Sequence, residues 1–260
     1  MQFEVDGATA FAATGGQDAP GRPTMVFIHG AGLDHSVWAS QSRWFAHRGR
    51  NVLAVDLPGH GRSAGPPLPG IAAMADWIAA MLDALGVAQA ALVGHSMGTL
   101  VALAAAHRHP RRVRALGLVG AALAIPVHPD LLAAAAANRH EAIDMVSLWG
   151  HGYAAGLGGS LAPGLWMTGS AERVLERAAP GVLHTDLAAC DVWRDGAVAA
   201  ASVRCPTIIV QGSRDVMTPP RAARTLAAAI PGARLTMLDD AGHMLLAERP
   251  DAVLAALGGL

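Results

Sequence analysis

Short apolar runs, separated by longer amphipathic or alanine-rich stretches, set the rhythm of this chain. Residues 24–28, 52–55, 90–93, 113–119, 207–211 and 234–238 are β-rich or continuously apolar, as buried strands are. Between or after them lie helical patterns at 36–47, 71–85, 100–106, 220–230 and 247–257. The second of these closes at Gly86, the residue type best suited to the left-handed turn that ends a helix. Asp6-Gly7, between Phe3/Val5 and Phe11, predicts an opening hairpin. Strands alternating with helices of this length predict an α/β fold: a mostly parallel, eight-stranded sheet with helices on both faces. The rhythm fails from Ala121 to Val203, where helices, including the alanine run 133–137, and glycine-rich turns replace it. The expected organisation is a core from 1–120 and 201–260, with 121–200 inserted as a helical lid over the sheet.

One polar position interrupts this pattern where chemistry is expected. Gly94-His95-Ser96-Met97-Gly98 follows the apolar run 90–93 and precedes a helix. A serine between a strand end and a helix start sits on a sharp, strained turn. Glycines two positions either side remove β-carbons that would collide with the neighbouring strand and helix. The turn exposes the Ser96 hydroxyl and aims the unpaired N–H groups of a helix N-terminus at the same spot.

Composition narrows the classes. A chain of 260 residues can bury roughly three quarters of its unfolded surface, so its core needs no disulfide or metal staple. Net charge is −1 with no long block of one sign, which argues against nucleic acid or an anionic membrane as partner. The apolar runs break before the roughly 18 residues of a spanning helix. Residues 1–6 show no secretory pattern, and Cys190 and Cys205 lack a C-x-x-C spacing. Both thiols are expected reduced, in a cytoplasmic protein.

Four motifs in order carry a resemblance to the α/β-hydrolase superfamily over almost the whole chain. His29-Gly30-Ala31-Gly32 is similar to its oxyanion loop, and Asp56-Leu57-Pro58-Gly59-His60-Gly61-Arg62-Ser63 to the turn after the next strand. Gly94–Gly98 resembles the nucleophile elbow. Gly212-Ser213-Arg214-Asp215 and Ala241-Gly242-His243 resemble the acid and histidine loops, giving the Ser…Asp…His order.

The residues support the same roles by elementary chemistry. A serine hydroxyl needs a base, and that base needs a partner to fix its tautomer. His243 and Asp215 follow successive strands and should open onto the sheet edge that carries Ser96. The backbone N–H groups of Ala31 and Met97 are the expected oxyanion donors. Asp239 and Asp240 are poorer acids because immediate neighbours rarely face a histidine correctly. His95 is expected to pack structurally, and His29 and His60 to hold loops. His29 and Gly30 are also placed at the edge of the substrate pocket. His140, His151 and His184 lack ligand spacing, so no metal or other cofactor is expected.

Resemblance implies that the lid roofs the site, with Trp149, Trp166 and Met167 lining an apolar acyl or alcohol pocket. The lid also holds Tyr153 and Trp193, and Arg139, Arg173, Arg177 and Arg194 leave an anionic substrate open. The expected activity is hydrolysis of a small carboxylic ester through an acyl-enzyme on Ser96, by a monomer or homodimer. The alternative is a 3-oxoadipate enol-lactonase-like lactone hydrolase, to which residues 215–233 are similar. A carbon–carbon bond hydrolase is less favoured because Met244, not tryptophan, follows His243. A non-catalytic receptor is disfavoured because all three residues are present, and a dehalogenase would need a carboxylate at Ser96. The expected division of labour leaves chemistry to the core and substrate choice to residues 121–203.

Overall fold

The computed structural model describes residues 1–17, 19–160 and 166–260. Among them, eight strands form one sheet: β1 (Gln2–Val5), β2 (Ala8–Ala13), β3 (Thr24–Ile28), β4 (Asn51–Asp56), β5 (Ala90–His95), β6 (Val113–Val119), β7 (Thr207–Gly212) and β8 (Arg234–Leu238). Their order is β1-β2-β4-β3-β5-β6-β7-β8, antiparallel at β1–β2 and β2–β4 and parallel from β4 onward. Asp6 and Gly7 turn the β1–β2 hairpin with φ of 51° and 77°, the positive pair that a two-residue hairpin demands.

The helices are α1 (Ala39–Ala46), α2 (Ile71–Ala84), α3 (Met97–Arg108), α4 (Pro129–Ala136), α5 (Glu141–Gly150), α6 (Tyr153–Gly156), α7 (Met167–Glu176), α8 (Val182–Val192), α9 (Gly196–Ser202), α10 (Pro220–Ala229), α11 (Leu245–Glu248) and α12 (Pro250–Leu257). Strand periodicity divides the core between the two faces of the sheet. Val26, Ile28, Leu92, Leu116 and Leu118 meet Met74, Ile78, Leu100, Leu103 and Leu226 on one side. Met25, Phe27, Val52, Val93 and Val210 meet Trp38, Phe45, Val253 and Leu257 on the other. Burial on both faces explains why these strands read as continuous apolar runs.

Two helices differ from the sequence pattern. The stretch 36–47 opens with a 3-10 turn, His35–Trp38, capped by Asp34, which accepts the Ser36 N–H at 2.8 Å, before α1 begins. The stretch 247–257 is broken at Arg249 (φ −140°) because Pro250 disfavours helical backbone in the residue before it. Pro250 then serves as the first residue of α12, where its missing N–H costs nothing. Residues 121–203 run between β6 and β7 and carry α4 to α9. Among the described residues, no helix is long and apolar enough to cross a membrane.

Candidate active site

Ser96 leaves β5 with φ 54° and ψ −120° and enters α3. A positive φ at a non-glycine residue costs about 1–3 kcal/mol and persists only where packing enforces it. Here the flanking glycines permit the close approach. A β-carbon on Gly94 would overlap the Gly98 carbonyl, and one on Gly98 would overlap the carbonyls of Ile28 and His29 at the end of the adjacent strand and just beyond it. Met97 opens α3, so its N–H belongs to the first turn, whose amides lack intrahelical acceptors.

Asp215 and His243 lie in the loops after β7 and β8, and both are buried. His243 Nδ1 is 2.8 Å from Asp215 Oδ2. The carboxylate also accepts from Gln211 Nε2 (2.7 Å), Thr218 Oγ1 (2.8 Å) and the N–H groups of Met217 (2.9 Å) and Thr218 (2.8 Å). Burial pushes the Asp215 carboxyl up, but the His243 charge and hydrogen bond, with the Thr218 donors, outweigh it and hold it below the ordinary value. With five donors around it, Asp215 is an acceptor only, so Nδ1 of His243 carries the proton and Nε2 is left as the basic nitrogen. Nε2 is buried, with no hydrogen-bond partner among the described residues. Ser96, His243, Gly30 and Ala31 all line one cavity of about 340 Å³.

The histidines expected to be structural have separate tasks. His95 Nε2 donates to the His243 carbonyl at 2.9 Å, and burial followed by the His243 charge lowers its pKa to about 3. His29 Nδ1 donates to the Gly30 carbonyl at 2.9 Å, while its Nε2 accepts the Leu57 N–H at 3.1 Å. Burial and the nearby His60 charge lower the His29 pKa to about 4. His29 therefore sits beneath the oxyanion loop, outside the cavity lining, which corrects its placement at the pocket.

Sequence reasoning missed four polar residues around these loops. Gln211 and Thr218 fix Asp215, and Gln211 Oε1 also accepts the Ala121 N–H at 3.1 Å. Glu248, fully enclosed on α11, accepts the N–H groups of Gly152 (3.0 Å) and Gly242 (3.0 Å), joining α6 to the histidine loop. Asp186 on α8 accepts the Gly32 N–H at 2.9 Å and bonds His60 Nε2 at 2.8 Å. Only Glu248 left a signal, as the lone carboxylate of the otherwise apolar α11; α8 carries His184, Thr185 and Asp191 beside Asp186.

His60 Nδ1 lies 3.0 Å from the Pro58 carbonyl, so both ring nitrogens face acceptors. Burial alone would lower its pKa, but the Asp186 bond and charge, with the Pro58 carbonyl, raise it. A raised folded-state pKa gives stability that is full below the unfolded value and lost as pH rises through the folded one. Thermal unfolding followed from about pH 6 to pH 9 should therefore show a falling Tm. His60→Gln should flatten that part of the curve, and an unchanged slope would show that this pair is not its source.

The cavity walls are apolar: Leu33, Ile125, Val127, Leu131, Val146, Trp149, Leu187, Met217 and Met244 among them. Trp149 lines this cavity, with the His128 ring edge-on at 5.6 Å. Trp166 and Met167 are corrected. Trp166 is 65% exposed and folds over Gly169 rather than into the cavity. Met167, the first residue of α7, is buried but lies outside the cavity lining. The four arginines of the insertion are engaged elsewhere: Arg139 with Glu141, Arg173 with Glu176, Arg177 with Asp34, and Arg194 with backbone carbonyls. The chain contains no lysine, and no arginine lines the cavity. Asp34, His35 and Asp56 form the one metal-type cluster found among the described residues. Asp56 there already accepts the N–H groups of His35 and Arg62, and the His35 ring.

With this geometry in place, residues 23–250 match the model of the alpha/beta hydrolase fold. The chain belongs to the alpha/beta hydrolase family. Over 247 residues it is 33% identical to a pimeloyl-[acyl-carrier protein] methyl ester esterase of Aromatoleum aromaticum, covering 88% of this hydrolase and 94% of that one. It is 29% identical over 240 residues to a candidate carbamate hydrolase of Klebsiella pneumoniae subsp. pneumoniae, covering 86% and 85%. The hydrolase also superposes on the enol-lactonase of Burkholderia xenovorans LB400 with a TM-score of 0.89, at 26% identity and 100% and 98% coverage.

Proposed function

We propose that this hydrolase cleaves a small, uncharged carboxylic ester through an acyl-enzyme on Ser96. The observation that carries the reading is the enclosed Asp215–His243 pair, whose free Nε2 borders the same apolar cavity as the strained Ser96. Ser96 Oγ attacks the ester carbonyl carbon and its proton passes to His243 Nε2. The oxyanion is held by the N–H groups of Ala31 and Met97. Collapse breaks the bond to the alkoxy oxygen, and His243 gives its proton to the leaving alcohol. Water, deprotonated by His243, then attacks the acyl carbon, releasing the acid and restoring Ser96. A fluorophosphonate should label Ser96 with one equivalent and abolish turnover of p-nitrophenyl esters; label on another serine overturns the assignment.

The lining supports an apolar acyl or alcohol group rather than a carboxylate-bearing one, because no arginine faces the cavity. Likeness to the enol-lactonase favours a second reading, hydrolysis of an uncharged lactone by the same steps. Turnover of acetyl, butyryl and octanoyl esters beside a simple and a carboxylated lactone separates these readings. In this reading residues 121–200 act as a lid whose Trp149 forms a pocket wall. Trp149→Ala should reorder the acyl series, since each methylene gained or lost in an apolar pocket is worth about 1–3 kcal/mol. Trp166→Ala should leave the order unchanged, and an unchanged order in Trp149→Ala removes that residue from substrate choice.

A further inference from the structure

We infer that Asp186, from the middle of α8, is a positioning residue for the oxyanion hole. The inference rests on the ester-hydrolase reading above, in which the Ala31 N–H binds the oxyanion.

Ala31 lies between two peptide groups, the first held by its own loop and the second from α8. The Gly30 carbonyl and the Ala31 N–H belong to one planar unit. That carbonyl accepts from His29 Nδ1 at 2.9 Å and from the Leu33 N–H at 3.2 Å. The Ala31 carbonyl and the Gly32 N–H form the next unit, and Asp186 Oδ2 holds its N–H at 2.9 Å. With both planes pinned, the direction of the Ala31 N–H is set. Gly32 sits at φ 67°, and a β-carbon added there would overlap Leu183 and crowd Leu175, so side chains of α7 and α8 close on the loop at this point.

Asp186 does this with one oxygen. Oδ2 serves both Gly32 and His60, while Oδ1 is buried with no hydrogen-bond partner among the described residues. Burying a carboxylate is costly, and a buried ion pair is weak as a source of stability. What this pair delivers is a fixed acceptor under the Gly32 N–H, held in place by His60 from the turn after β4. Asparagine cannot reproduce it. With its oxygen at the Oδ2 position, the neutral amide would be a weaker acceptor and would offer no charge to the His60 ring, both of whose nitrogens face acceptors. With nitrogen there, the Gly32 N–H would lose its acceptor. The insertion therefore bears on chemical competence as well as on substrate choice.

The test compares wild type with Asp186→Asn, using p-nitrophenyl butyrate, a butyl trifluoromethyl ketone and the matching secondary alcohol. The ketone adds to Ser96 as a tetrahedral oxyanion, whereas the alcohol occupies the cavity without forming one. Asp186→Asn should lower kcat by about 10- to 100-fold and weaken the ketone by a similar factor, since a misaimed donor forfeits part of an oxyanion contact. KM and the alcohol's affinity should stay within about threefold, because uniform binding is untouched. Unchanged kcat, or loss confined to KM, overturns the inference. If Asp186→Asn does not fold, His60 decides: His60→Gln, which still donates to Asp186, should retain kcat, and His60→Ala should lose it. Equal kcat in those two variants also overturns it. Fluorophosphonate labelling of wild type separates the two levels. Without a label on Ser96 the functional reading itself fails; with the label and a fully active Asp186→Asn, only the role of Asp186 fails.

Discussion

Ser96→Ala should lower kcat on the order of a million-fold, the loss seen when a nucleophile that works as one unit with its base is removed. KM should change little, because the apolar walls of the cavity are intact. The same site carries a second, opposite expectation for stability. Ser96 is held at φ 54°, and alanine must adopt the same strained backbone, so Tm should barely move. Ser96→Gly should be equally inactive yet more stable, by up to about 1–3 kcal/mol, because glycine tolerates that φ. Steady-state kinetics and thermal unfolding on the pair check both halves. An active Ser96→Ala removes Ser96 as nucleophile, and an unstabilised Ser96→Gly shows that the elbow stores no strain.

Asp215→Asn should lower kcat by about 10⁴ while the fold survives. The carboxylate receives five donors, and an amide offers one oxygen and an NH₂ in their place. Whichever way the amide turns, NH₂ faces donors. If it displaces the His243 contact, the imidazole adopts the other tautomer and Nε2 can no longer take the Ser96 proton. Asp240→Asn is the control, since that carboxylate is exposed and 3.4 Å from Arg214. Near-normal turnover in Asp215→Asn with a dead Asp240→Asn would move the acid to the β8 loop.

The sheet, its order of strands and helices, and the glycine-flanked elbow were legible because their signals are local. Apolar runs of strand length and the Gly94–Gly98 spacing each express one steric requirement within a few residues. Asp215 and His243 could be placed together, at the sheet edge that carries Ser96, because parallel strands deliver their loops to one edge. Asp186, Glu248 and Gln211 were not legible. Asp186 meets Gly32 across 154 positions, and nothing within α8 marks which side faces the loop. Trp166 and Met167 failed for the related reason that an aromatic-rich segment does not reveal which way its side chains point. Trp149 lines the cavity because α5 packs over it, while Trp166 closes on Gly169 of its own helix.

Glu248 has a practical consequence for exchanging parts between hydrolases. Its carboxylate clasps Gly152 from the insertion and Gly242 from the histidine loop, while the Gly150 carbonyl accepts the N–H groups of His243 and Met244 at 2.8 and 2.7 Å. A transplanted segment cut at residues 121 and 203 would arrive without partners matched to this clasp. The recipient would keep its sheet and lose the seating of its histidine. Grafts that carry the donor's equivalents of Glu248 and of the 242–244 loop along with the segment should work where segment-only grafts do not.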